Sequence, residues 1–141
     1  MKKIATVSIS LLLALGIILE IFIPLVTPKK FLKSEDIRSA NVFIGESGKS
    51  FEIADVEDIT KLIKLIQDES LYRSTILPIH EDGFSYGVSF FNEKDRGSQY
   101  LRISPGFIDV NGYQYKRKGD GNYTLPAYEY LKELETKYVN R

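Results

Sequence analysis

Between Ile4 and Val26 the chain runs through twenty-three residues with one charge, Glu20, and no other stretch constrains the molecule as strongly. As a helix it would reach roughly 35 Å at about 1.5 Å per residue, enough to cross a hydrocarbon core of about 30 Å. Glu20 would lie a turn or two from the outer end, where a carboxylate reaches the interface at reduced cost. Pro24 is tolerated there as well. The competing reading is a cleaved signal peptide, which ends in small residues before the cut. The late small-x-small candidate, Ala14-Leu15-Gly16, is followed at once by Ile17, Ile18 and Leu19, a poor setting for cleavage. A third reading buries the same helix inside a cytosolic fold. An uncleaved membrane anchor is expected, with secretion after cleavage as the alternative.

Charge supports a division at the end of this segment. Residues 1–33 hold Lys2, Lys3, Lys29, Lys30 and Lys33 against Glu20, which leaves residues 34–141 with a net charge of −4. Nucleic-acid binding requires a basic footprint, so that class of partner is excluded for the folded part. The chain has no Cys, which removes disulfides, thiol chemistry and lipid attachment of the lipoprotein type. Lysines flank the apolar stretch on both sides, so positive-inside counting is nearly balanced. The very short basic start favours an export-like orientation with the C-terminal domain outside. Lys29, Lys30 and Lys33 are then expected at the outer membrane interface, with Phe31 and Leu32 dipping into it. The plain alternative is a solvated linker. The expected organisation is an anchor or signal peptide with a basic juxtamembrane linker over 1–33, and an extracytoplasmic domain over 34–141.

Within that domain the hydrophobic period switches between two and 3.6. Ala40, Val42 and Ile44 share one strand face, residues 45–49 read as a turn, and Phe51 and Ile53 open a second strand. Asp55 can cap a helix through its carboxylate. Val56, Ile59, Leu62, Ile63 and Ile66 then form an apolar stripe on a helix of about 13 residues. Residues 75–79 form a short strand candidate, with Pro78 marking an edge strand or its end. Phe84, Tyr86, Val88 and Phe90 alternate with small residues in the clearest strand of the chain, and residues 100–103 supply the next. Asn111-Gly112 between apolar runs is a strong hairpin signal, because both positions accept positive φ. Pro126 suits the first turn of a last helix lined by Ala127, Tyr130, Leu131, Leu134 and Tyr138. The expected fold is α+β: an antiparallel sheet of about five to six strands in ββα-ββββ-α order, with two helices on one face, preceded by a transmembrane helix.

The motifs that could carry chemistry are weak. Residues 45–50, Gly-Glu-Ser-Gly-Lys-Ser, suggest a phosphate loop, but Phe43 stands where its first glycine belongs and a strand follows where a helix is required. No nucleotide is expected. His80 is the only histidine, and with Glu81 and Asp82 it lacks the ligand set of a zinc site. Without a nucleophile elbow no serine is singled out as its partner. Asp120-Gly121-Asn122 is a fragment of a calcium loop without its alternating acids. No cofactor, metal or catalytic residue is expected.

The aromatic content stands apart. Fifteen Phe and Tyr lie in residues 34–141, nine of them Tyr. Tyr113, Tyr115 and Tyr123 cluster late in the chain and are candidate partner-binding residues, because Tyr is a common interface anchor. The plain alternative is that Tyr fits half-buried pleated surfaces.

The apolar N-terminus, the ββα start, the Tyr-containing late hairpin and the L-P-A-Y-E-Y-L run at residues 125–131 together resemble the small uncharacterised exported domains of Gram-positive bacteria. The resemblance covers roughly residues 36–138 and is one of pattern. It implies a domain of unknown function and transfers no site residues. The missing lipobox Cys departs from many such proteins. The function expected is a membrane-tethered, non-enzymatic binding or regulatory module with a protein partner at the cell surface. A small surface hydrolase using His80 and an envelope, lipid-sensing or immunity-type protein are the alternatives.

Overall fold

The structure is a computed structural model and describes residues 12–14, 27–32, 37–75, 84–92, 98–117 and 123–139. Residues 12–14 are helical and exposed. The domain proper begins with a short helix α1 (Pro28–Phe31), followed by strands β1 (Ile37–Ile44) and β2 (Ser50–Ile53) and helix α2 (Val56–Gln67). Five strands come next: β3 (Leu71–Arg73), β4 (Tyr86–Asn92), β5 (Ser98–Ile103), β6 (Phe107–Val110) and β7 (Tyr113–Arg117). Helix α3 (Pro126–Val139) closes the fold.

All seven strands join one antiparallel sheet in the order β2-β1-β4-β5-β6-β7-β3. Local chemistry sets its turns. After β1 the Gly48 N–H returns to the Ile44 carbonyl at 2.9 Å, with Gly48 at φ +68°. The 45–50 segment is therefore a hairpin turn, and no helix N-terminus follows to cradle phosphate. Asn111 and Gly112 both take positive φ, 54° and 85°, and the Gly112 N–H donates to Asp109 Oδ1 at 2.8 Å. This is the two-residue turn that the right-handed strand twist favours. At α2, Asp55 Oδ1 accepts from the Glu57 N–H at 2.9 Å, and Glu57 and Asp58 complement the helix dipole.

Both long helices pack on the same face. Ile59, Leu62, Ile63 and Ile66 of α2 and Ala127, Tyr130, Leu131 and Leu134 of α3 enter one core with Ala40, Val42, Val88, Leu101 and Ile108 of the sheet. Each fully buried aliphatic side chain contributes about 2 kcal/mol. The ring of Phe51 on β2 stacks on Tyr138 of α3 with centroids 5.9 Å apart.

Four expectations need correction. The sheet has seven strands, not five or six, because the edge strand β3 is only three residues long and too short to display a period. It lies at Leu71–Arg73, directly after α2, and not at 75–79, where Thr75 is outside any strand and residues 76–79 lie outside the described residues. Val56 is 52% exposed rather than part of the buried stripe. The first helical turn stands clear of the sheet, with residues 54–57 all exposed. The largest correction concerns the expected linker. Pro28 is buried, Leu32 is 2% exposed, and Phe31 packs against the core. Gln67 Nε2 donates to the Leu32 carbonyl at 3.1 Å. Residues 27–32 therefore belong to the domain, and Phe31 and Leu32 are spent on its core and not on a membrane interface.

Among the described residues no helix is long and apolar enough to cross a membrane. The expected transmembrane segment lies outside the described residues except at residues 12–14.

Candidate binding surface

Strand alternation sends Phe43, Gly87, Ser89, Tyr100 and Arg102 to the side away from the helices. That side carries large exposed aromatics. Phe43 is 49% exposed, Phe91 41% and Tyr100 51%. The register puts Phe43 beside Gly87 and Gly87 beside Arg102, with Ser89 between Asn41 and Tyr100. Glycine and serine thus form a low floor between aromatic walls. The ring of Tyr100 lies on Gly87: a methyl group at position 87 would stand 2.8 Å from Tyr100 Oη and 3.1 Å from its Cε2. A strand glycine often marks such a close approach.

Next to this floor, Arg102 Nη2 meets Asp109 Oδ2 at 3.0 Å across β5 and β6. Asp109 also holds the β6–β7 turn through its other oxygen. The guanidinium of Arg102 and the ammonium of Lys116 lie 5.9 and 5.7 Å from the Phe107 ring centroid, so this half of the face is aromatic and cationic.

The helix-covered side uses its tyrosines differently. Asp58 accepts from Tyr130 Oη at 2.8 Å, from Tyr138 Oη at 2.7 Å and from Lys137 Nζ at 2.6 Å. Burial pushes its pKa up, but the bonds from Lys137, Tyr138 and Tyr130 and the Lys137 charge outweigh this and hold the carboxyl below its ordinary value. The Tyr130 and Tyr138 hydroxyls are pushed up, first by burial and then by their bonds to Asp58. The Asp58 carboxylate is thus fully occupied as a tie between α2 and α3. Tyr86 donates to Glu135 of α3, and Tyr123 to Glu69 at 2.8 Å.

The tyrosines singled out in the sequence fall on this covered side. Tyr115 is 1% exposed and belongs to the core. Its neighbour by alternation, Tyr113, is half-buried with the Arg73 guanidinium 5.2 Å from its ring. Tyr123 is half-buried, with the Arg117 guanidinium 4.3 Å from its ring. Tyr115 is therefore spent on packing, and the other two are tied into the edge of the core. Lys29 and Lys30 are exposed on α1, while Lys33 lies outside the described residues. His80, Glu81 and Asp82 and the 120–122 segment also lie outside them. Among the described residues no group of three or more Asp, Glu or His side chains is placed to hold a metal ion.

Phe43, Phe91 and Tyr100 were not singled out in the sequence. A signal existed: each abuts a core residue (Val42, Phe90, Leu101) on a strand and so occupies an outward position where a polar residue is the rule.

No family model, curated protein or solved structure matches this chain.

Proposed function

We propose that this chain is a membrane-tethered, extracytoplasmic binding or regulatory module that engages a protein partner through the uncovered face of its sheet. The observation that carries the reading is the arrangement of Phe43, Phe91 and Tyr100 around the Gly87–Ser89 floor. Exposed aromatics grouped on one face mark interaction sites, because a solvated sheet face ordinarily alternates to polar residues. The role is binding and not catalysis. The half-buried carboxylate with the richest surroundings, Asp58, is spent on hydrogen bonds between helices.

The tether is supported by the apolar stretch 4–26 and by its helical residues 12–14. Leu12 is 69% exposed and Leu13 63%. Leucines this exposed fit a segment whose apolar surface is met by lipid, and they disfavour a helix buried in a cytosolic fold. The resemblance to exported domains favours a domain held outside the membrane.

The test is site-specific photo-crosslinking of the full chain in its native membrane. A crosslinker at position 100 should trap a discrete protein adduct, whereas one at Lys132 on α3 should not. Equal adducts at both positions, or none at position 100, would sink the reading.

A further inference from the structure

We infer that the domain does not swing freely on its tether but rests against the bilayer along the edge formed by α1, β3 and the end of β7. There Lys29, Lys30, Lys116 and Arg117 meet anionic phospholipid headgroups and Tyr72 sits at the interface. The inference rests on the tether proposed above and adds an orientation and a lipid class to it.

The first argument is the length of free chain. The apolar stretch ends at Val26, and Thr27 already caps α1. Its carbonyl accepts from the N–H groups of Lys30 at 2.9 Å and Phe31 at 2.8 Å, and its hydroxyl accepts from Lys30 at 3.4 Å. Pro28 is buried beside it, and Leu32 is locked into the core. No spacer separates a membrane-crossing segment from the packed domain, and one residue spans at most about 3.6 Å. Whatever surface surrounds Thr27 is therefore brought to the headgroups.

The second argument is what that surface carries. Thr27, Pro28 and Lys29 line one wall of a cleft of about 470 Å³, and residues 67–72 line the other. Tyr72 on this cleft is 50% exposed and stands opposite Lys116, while Leu71 stands opposite Arg117. Lys29, Lys30, Lys116 and Arg117 are all exposed. Among the described residues the acids lining the cleft are Asp68 and Glu69, and Glu69 is engaged by the Tyr123 hydroxyl at 2.8 Å. Among the described residues these four exposed cations, with the half-buried Arg73 beside them, stand against two acids at this edge, while residues 27–141 together carry a net charge of −1. A positive edge on a nearly neutral domain, placed where the tether enters, is complementary to an anionic leaflet. An exposed Tyr among cations suits the headgroup layer, where amphipathic rings are enriched.

The experiment uses the full chain reconstituted into vesicles of phosphatidylcholine, with or without phosphatidylglycerol. Because the chain has no Cys, one introduced thiol gives one labelled position. A fluorophore on Tyr72→Cys reports the near edge. One on Glu52→Cys reports β2, six strand spacings away at about 4.8 Å each, or roughly 29 Å. Headgroup-quencher lipids should quench position 72 several-fold more than position 52, and more strongly with phosphatidylglycerol present. K116E/R117E and K29E/K30E should each bring quenching at position 72 towards that at 52. Equal quenching at the two positions, or quenching at 72 indifferent to both anionic lipid and charge reversal, would overturn the inference while leaving the tether intact. Release of the chain by carbonate washing would instead overturn the tether, and the inference with it.

Discussion

The two faces of the sheet spend the same kind of residue in opposite ways. On the covered face the tyrosine rings are packed, and four of their hydroxyls are tied to carboxylates: Tyr86 to Glu135, Tyr123 to Glu69, Tyr130 and Tyr138 to Asp58. On the uncovered face Phe43, Phe91 and Tyr100 are roughly half exposed. A buried tyrosine must place its hydroxyl, and at these four an acid accepts it, which contributes to stability. An exposed aromatic contributes little to the fold until something covers it. The covered face should therefore respond to substitution in folding, and the uncovered face in binding.

The comparison can be broken most decisively at the core. Leu131→Ala removes a fully buried side chain beneath α3 and should cost about 3 kcal/mol in urea denaturation. A loss under about 1 kcal/mol would mean that α3 is not an integral layer. Asp58→Ala comes next, with an expected loss of about 2 kcal/mol, because it strips the acceptor from Tyr130, Tyr138 and Lys137 at once.

The same carboxylate gives a pH test. Its folded pKa lies below the ordinary value of 3.8. Its contribution is therefore present above that value and is lost as pH falls through the lowered one. Denaturant midpoints taken from neutral pH down to about pH 3 should fall less for Asp58→Asn than for the parent chain. An equal fall in both would remove Asp58 from the acid response.

Smaller effects are expected across the sheet. Gly87→Ala drives a methyl group to within 2.8 Å of Tyr100 Oη. The half-exposed ring can swing aside, so the stability cost should stay at about 1 kcal/mol, while crosslinking from position 100 is lost or redirected. Phe43→Ala should change the denaturant midpoint least, by about 0.5 kcal/mol or less. Yet it should weaken partner capture as strongly as Gly87→Ala. A Phe43→Ala chain that unfolds early but still captures its partner would reverse the assignment of the two faces.

Much of the fold was legible in the sequence because its signals are local. Asp55, Asn111-Gly112 and Pro126 act through their own backbone neighbourhoods, and the stripe from Ile59 to Ile66 follows from helical spacing alone. The candidate surface was not legible. Period two separates the two faces of a strand, but it does not say which one a helix will cover. Tyr115 and Tyr100 look alike in the sequence; register places the first under the helices and the second outside. Tyr113 and Tyr115 cluster along the chain, and clustering along a strand puts alternate residues on a shared face without saying whether that face is wet.

By itself the sequence determined the α+β class, the starts of the two long helices, the hairpin turn at residues 111–112 and the apolar character of residues 4–26, since each depends on the conformational preferences of a few neighbouring residues or on composition. The tertiary structure alone decided three things: that Leu71–Arg73 adds a seventh strand against β7, that residues 27–32 are part of the core, and that Phe43, Phe91 and Tyr100 remain uncovered. All three depend on contacts between segments far apart in the chain, where the burial gained by packing outweighs weak local preference.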